Sequence, residues 1–417
     1  MHTGNTFRTF KYGEIEIEKK TIRTKDNTLL KIAILAVGVQ DIGGGAASPA
    51  LADIRNAMPD VSATAIMMIA SLPQITQIIP AVLFGKLVRF FKKKTLFTMA
   101  CVFFLTGGLG PFWMNNINPI LICRGILGLG TGIFVPLAIT LISDFFEDPA
   151  ERNTMLGFNV AVACIGGMFF QLLGGFLAKA NWHYCFLSYL FCIIVFLYVS
   201  AFMPEPEKKD KIEGSKTKIP GNVWGLCILY LFANVFMMAV VTNNAIAIDD
   251  NGLGDAASSG IALTLFTAGT FSIGLVFGRL VKVFKIYTLP FGYFLGIVGF
   301  LLCFFAANIT TMFLGCFFVG LAGGVFIPET LSRITSASPA GSIATGIGMS
   351  AALQGLGQFF QPIAYNPLLK VLGHGPGKPA FALSAVGYMI LIVILVIVTL
   401  ISPKTTPERR LKSESVQ

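Results

Sequence analysis

The sequence has 417 residues, 54% hydrophobic and only 12% charged, with 38 Phe and 44 Gly. A water-soluble domain carries about a quarter charged residues, so this composition excludes a chain that covers a water-facing surface in the ordinary way. The net charge of +10 needs no nucleic acid to explain it, because membrane topology accounts for where the basic residues fall.

Residues 1–29 are polar, mixed in charge, and lack the apolar core and cleavage site of a secretory signal. They read as a cytoplasmic tail. About twelve apolar stretches follow, each close to the roughly 20 residues that cross a bilayer as a helix. They start near Leu30, Thr64, Thr95, Pro119, Asn153, His183, Val223, Ala257, Tyr287, Thr311, Gly341 and Ala380. The expected organisation is an all-α membrane protein. A six-helix bundle over 30–203 is joined by a charged cytoplasmic linker (204–221) to a second bundle over 222–402, and 403–417 form a cytoplasmic tail. With both ends inside, 26 of the 31 Lys and Arg face the cytoplasm; Arg55, Lys179, Lys370 and Lys378 face out, and Arg124 lies within a span. This is the positive-inside pattern, with some attraction of the basic loops to anionic lipid. It predicts a multi-pass protein of the cytoplasmic membrane.

The eight Cys all fall in predicted spans without a CxxC pair, and the three His do not cluster. The Cys read as small apolar fillers rather than disulfides or metal ligands, and His2, His183 and His374 lie in the tail or at outer span ends. No Gly-x4-Gly-Lys-Ser/Thr loop is present, so no cofactor is expected beyond a proton gradient. No carboxylate pair or nucleophile–base set suggests an enzyme.

The chain repeats itself. GKLVRFFKKKTL (85–96) matches GRLVKVFKIYTL (278–289) at seven of twelve positions; GLGTGIFVP (128–136) matches GLAGGVFIP (320–328), and GMFFQ (167–171) matches GQFFQ (357–361). Offsets of 190–193 make spans 1–6 and 7–12 two copies of one unit in the same orientation. The pairs Asp148–Pro149 and Ser338–Pro339 read as N-caps with Pro in the first turn, with Glu151 completing a capping-box-like start.

Two parallel six-helix halves with a basic loop after the second helix of each resemble the major facilitator superfamily. Its loop pattern, Gly-x3-Asp-Arg-x-Gly-Arg-Arg, is met by Gly85 and by the basic run Lys92, Lys93 and Lys94, with Arg89 in place of the Asp and Lys92 in place of the Gly. Its span-4 pattern is met by Arg124, Gly128, Gly130 and Gly132. The resemblance implies solute transport by alternating access, with a site between the halves near the midplane, by a protein that works as a monomer. The phrasing of spans 1–4 looks most like the drug and solute efflux branch. Of that branch's span-5 pattern Gly157, Gly166, Gly174 and Gly175 fit, while Phe170 and Gln171 replace its Gly-Pro.

Unduplicated residues carry the chemistry. Asp41 in span 1 corresponds to Asn234, and Arg124 in span 4 to Cys316, so one acid and one base lie at membrane depth in the first half only. Burying either is costly. Two readings stand open: a proton-coupling switch in which Arg124 approaches and leaves Asp41, or a static pair that fixes packing. Gln40, Gln74, Gln77, Asn159, Gln171, Asn234, Asn243, Asn244, Gln354, Gln358, Gln361 and Tyr365 are candidates to line a cavity for a small, mainly apolar organic molecule, or to hydrogen-bond between helices. The basic loop is either an orientation signal or a cytoplasmic latch, in which Gly85, Arg89, Lys92, Lys93 and Lys94 meet Asp144, Glu147, Glu151 and Arg152. The expected function is proton-coupled transport of a small amphipathic solute, leaning to export. The alternatives are a symporter for a small organic acid or sugar-like solute, and a non-transporting sensor or scaffold.

Overall fold

The computed structural model describes residues 28–40, 43–146, 148–205, 220–339 and 342–401, which are helical almost throughout, with no strand among them. Twelve crossings follow one another. We number them α1 (Thr28–Gly38, continued by a 3-10 segment Gly43–Ala50 and a helix Leu51–Ala57), α2 (Ala63–Phe90), α3 (Lys93–Trp113), α4 (Ile117–Phe145), α5 (Pro149–Ala178) and α6 (Trp182–Phe202). The second set is α7 (Gly221–Asp250), α8 (Ala256–Phe284), α9 (Thr288–Phe304), α10 (Ile309–Ala337), α11 (Ile343–Val371) and α12 (Lys378–Ile401). Nine uninterrupted stretches of the described residues are long and apolar enough to cross a membrane. One of these, Ala256–Phe304, is two crossings joined at Lys285, a non-glycine residue at φ 50°. The broken α1 and the amide-bearing α11 complete the twelve.

Helix starts follow the local chemistry. Asp148 caps α5, its carboxylate accepting from the Glu151 N–H at 2.9 Å, with Pro149 next in line. The second-half equivalent behaves differently. Ser338 ends α10 rather than starting α11, and Ser342 donates its N–H back to the Pro339 carbonyl at 2.8 Å, so a turn intervenes before Ile343.

Two large buried cores stand out: one runs from Ala33 to Met203 and takes in Met238, Ala245 and Ala256 of the second half, and the other runs from Leu229 to Leu395. The duplicated glycines explain why both fold alike. Gly128 lies against the Pro73 carbonyl of α2, and its twin Gly320 against the Phe266 carbonyl of α8; Gly107 meets Cys123 and Leu127 of α4, and its twin Gly299 meets Gly315 and Val319 of α10. A side chain at any of these would strike backbone, so the repeat encodes pairs of helices at minimal separation. The halves join through α5 on α8, α2 on α11, and the end of α1 on α7.

Replacing Gly128 or Gly320 by Leu should overpack these contacts and cost about 1–3 kcal/mol, read as a lower thermal midpoint in detergent. Gly157→Ala, which meets nothing within 4 Å, should leave the midpoint within error.

Candidate functional site

The chemistry of the first half centres on Arg124, which lies seven residues into α4 and is fully buried. Its Nε donates to the Ile69 carbonyl (2.8 Å), Nη1 to the Tyr189 hydroxyl (2.9 Å) and Nη2 to the Gly44 carbonyl (2.6 Å). Sequence explains why these acceptors are available. Pro73 stands four residues after Ile69 and has no N–H to offer it. Gly44 lies where Gly43, Gly44 and Gly45 open the 3-10 stretch of α1. Tyr189 in turn donates to the Gly44 carbonyl at 3.3 Å, and its ring lies 5.5 Å from the guanidinium. Among the described residues, the buried cation is therefore held by neutral dipoles. Asp41, its expected partner, lies outside the described residues. Tyr189 is a residue the sequence reading missed, although a signal existed: it lies seven residues into α6 just as Arg124 lies seven into α4, counted from the same end.

The amide candidates separate into two groups. In the second half, Asn243, Asn244, Gln361 and Tyr365 are buried and bonded to neighbours, although Gln361 Nε2 has no partner among the described residues. Thr242 donates to Gln361 Oε1 (2.7 Å), the Gly377 N–H to Asn243 Oδ1 (3.0 Å), Asn244 Nδ2 to the Ser259 hydroxyl (2.9 Å), and Tyr365 pairs with Ser384 (3.0 Å). Cys316, the counterpart of Arg124, donates to Asn244 Oδ1 at 3.5 Å, and Asn234, the counterpart of Asp41, donates to the Tyr230 carbonyl at 2.8 Å. A neutral network thus occupies the place of the charged one. Gln171 is buried and accepts from Thr267 of the other half at 3.0 Å; buried Gln40 and Asn159 keep side-chain atoms without a partner among the described residues. Gln74, Gln77, Gln354 and Gln358 alone among these candidates are half-buried.

The halves are joined at the end of the bundle away from the basic loops. Arg55 grips Asp250 with two bonds, 2.6 and 3.2 Å, and reaches Asp249 at 3.3 Å, while Asn56 donates to Asp249 at 2.9 Å. Lys179 pairs with Asp255 at 3.1 Å, and Asn366 donates to Thr64 at 3.0 Å. Along α2 the upper part, Ala63–Thr76, packs on α11, whereas Ile78–Phe90 hardly touches it. The bundle is closed at this far end and open toward the basic end. Asp255 caps α8, and the Ser258 N–H, helped by Lys179, holds its carboxyl below the usual carboxylate range. A depressed value means its contribution is present above the ordinary value of about 3.9 and is lost only as the pH falls through the lower folded one.

At the basic end, Lys93 and Asp144 form a buried ion pair between α3 and α4, and Lys31 pairs with Glu151 at 2.7 Å. Glu205, past the end of α6, accepts from the N–H groups of Lys93 and Lys94 at 2.7 and 3.0 Å, capping α3 from outside. These contacts all lie within the first half. Gly85, Arg89 and Lys92 are exposed and Arg152 is half-buried; Glu147 lies outside the described residues.

The model of the Major Facilitator Superfamily matches residues 33–362 and, in an overlapping match, 223–417. The chain belongs to the major facilitator superfamily. Within that superfamily it is 29% identical over 157 residues to Multidrug resistance protein 3 of Bacillus subtilis, covering 37% of this chain and 29% of that one. It is also 29% identical over 148 residues to the 4-hydroxybenzoate transporter PcaK of Acinetobacter baylyi, covering 34% and 31%. The matched parts span less than a third of either relative. Among solved structures, the fold is similar to the D-xylose–proton symporter (TM-score 0.69, 15% identity, 88% of this chain and 97% of that one) and to the nucleoside transporter NupG (0.71, 12%, 88% and 98%).

Removing the positive charge of the far-end lock should free the halves: Arg55→Gln should raise the thiol-labelling rate of a cysteine placed at Asn366, between the halves. The charge swap Arg55→Asp with Asp250→Arg should return the rate toward that of the parent. An unchanged rate in Arg55→Gln would mean that apolar packing alone closes this end.

Proposed function

We propose that this superfamily member is a proton-coupled transporter that moves a small amphipathic organic solute across the cytoplasmic membrane by alternating access, as a monomer with both termini in the cytoplasm. The observation that carries the reading is the buried Arg124 cluster, set in a bundle closed at one end and open at the other. A scaffold gains nothing from burying a cation at this depth, whereas a transporter can use one. Arg124 is held by a broken helix, so a small shift of Gly44 changes what the guanidinium touches. Asp41, next to that break in sequence, is the group assigned to carry the proton. The basic end, with 26 of the 31 Lys and Arg, is assigned to the cytoplasm, which makes the described state open inward.

Export is favoured by the likeness to Multidrug resistance protein 3. A second reading, proton-driven uptake of an organic acid or sugar-like solute, draws on the likenesses to PcaK and to the D-xylose–proton symporter. The direction of proton flux relative to solute flux separates the two.

The deciding experiment is solute-dependent proton movement in proteoliposomes of known orientation, with a panel of organic acids, sugars and amphipathic drugs. The parent protein should move protons with at least one solute, and Asp41→Asn should retain uncoupled exchange only. Arg124→Gln should lose at least about tenfold of coupled flux, since two carbonyls and a hydroxyl lose their cation. Normal coupling in Asp41→Asn would make the cluster a packing device.

A further inference from the structure

The helix Leu51–Ala57, at the far end of α1, carries Asp53, Arg55 and Asn56. Thr28–Gly38 and Gly43–Ala50 rise roughly 16 Å each and together cross a hydrocarbon core of about 30 Å, so this helix stands outside that core. Two of the three polar side chains are spent, Arg55 on Asp250 and Asp249 and Asn56 on Asp249. Asp53 lies three residues before Asn56, on the same side of the helix, and is half-buried. Among the described residues no hydrogen bond or ion pair satisfies its carboxylate.

What faces Asp53 is negative. Asp249 at the end of α7 and Asp255 at the cap of α8 both act on it through space, from the other half. The nearby cations are engaged elsewhere: Arg55 holds Asp250 at 2.6 Å, and Lys179 of α5 holds Asp255 at 3.1 Å. The seam thus sets four carboxylates against two cations. The part of α2 that packs on this helix, Ala63–Thr76, has no titratable side chain, and Asp60 in the loop between them is exposed. From α6 comes the buried Cys185 thiol, which feels the charges of both Asp53 and Arg124. His183 is turned to Asn115 and Asn181, and His374 is exposed beyond α11.

This like charge depends on the state of the seam. While the far end is closed, burial, Asp249 and Asp255 hold the Asp53 carboxyl above the usual carboxylate range. Parting the halves takes Asp249 and Asp255 away and wets Asp53, so its value falls toward the ordinary one of about 3.9. A group held higher in one state stabilises that state below the lower value, and the effect is lost as the pH rises through the higher one. Protonated Asp53 therefore favours the closed far end, and the bare carboxylate pushes the halves apart.

We propose that Asp53 is a second proton-binding site, distinct from the coupling group, that latches the far end. A proton taken up there removes the repulsion across the seam and holds the two halves shut, and its loss releases them. The inference rests on the alternating-access reading only in requiring that this end opens; it needs neither Asp41 nor any particular solute. With the basic end in the cytoplasm, an acidic exterior keeps the protein in the described state, and a neutral exterior frees it to open outward.

The test reads the far-end separation in the full chain in nanodiscs, by pulsed electron paramagnetic resonance between spin labels on Asn116→Cys and Ala307→Cys, which are exposed on opposite halves. All eight native Cys are buried, so the labels go to the two new thiols. From about pH 8 to about pH 5 the ratio of short to long separations should rise at least about threefold. Asp53→Asn, isosteric with the protonated acid, should show the short separation at both values, and Asp53→Glu should restore the rise. A parent that opens on acidification, or does not respond, overturns the site, as does an Asp53→Asn variant that titrates like the parent. Asp41→Asn should keep the rise; its loss there would place the proton at the break in α1 and overturn the latch. Proton flux is read separately in proteoliposomes. A parent that moves no protons with any solute overturns the coupling reading and leaves the latch standing.

Discussion

The cost of placing a guanidinium in a medium that cannot hydrate it organises the first half. Arg124 is fully buried, so the surrounding helices must supply what water would. They do so by giving up helical hydrogen bonds of their own: a proline on α2 strands the Ile69 carbonyl, a glycine run on α1 loosens the Gly44 carbonyl, and the hydroxyl of Tyr189 arrives from α6. Four helices are thereby fixed around one charge. The irregular backbone of α1 is tolerated at membrane depth because it is buried in protein and occupied.

The second half solves the same geometric problem without a charge. Where the first half has Arg124, it has Cys316 bonded to Asn244; where the first half has Asp41, it has Asn234 bonded to its own helix. The glycine contacts that set helix spacing are conserved between the halves, so one framework supports a charged interior and a neutral one. The packing is symmetric and the buried chemistry is not: among the described residues a cation stands in one half where the other holds neutral groups.

Much of this was legible in the sequence. The twelve crossings follow from runs of apolar residues, and the repeat of GLGTG and GLAGG located the close helix pairs, because small residues at helical spacing have few other uses in lipid. The buried arginine was visible as a lone charge in an apolar run. Two of its three acceptors were not, since the Ile69 and Gly44 groups are backbone carbonyls of other helices and every residue has one. Sorting the amides failed for a related reason. Gln358 and Gln361 lie three residues apart on α11, yet one is half-buried and the other sealed, which depends on helix rotation and on neighbours more than a hundred residues away. The lock between Arg55 and Asp250 joins residues 195 apart at two loop ends that carry no shared pattern. The Ser338–Pro339 pair misled because the same residues also suit a helix end: Ser338 donates its N–H to the Ile334 carbonyl and closes the last turn of α10.

The cap that Glu205 places on α3 has a mechanical consequence. It pins the last described residue of the first half to the bundle, so the connection to Pro220 begins from a fixed post. Fourteen residues lie between, and a chain of that length reaches at most about 50 Å. The chain leaves the first half at its basic end, beside the Lys93–Asp144 ion pair, and not from the surface where the two halves meet.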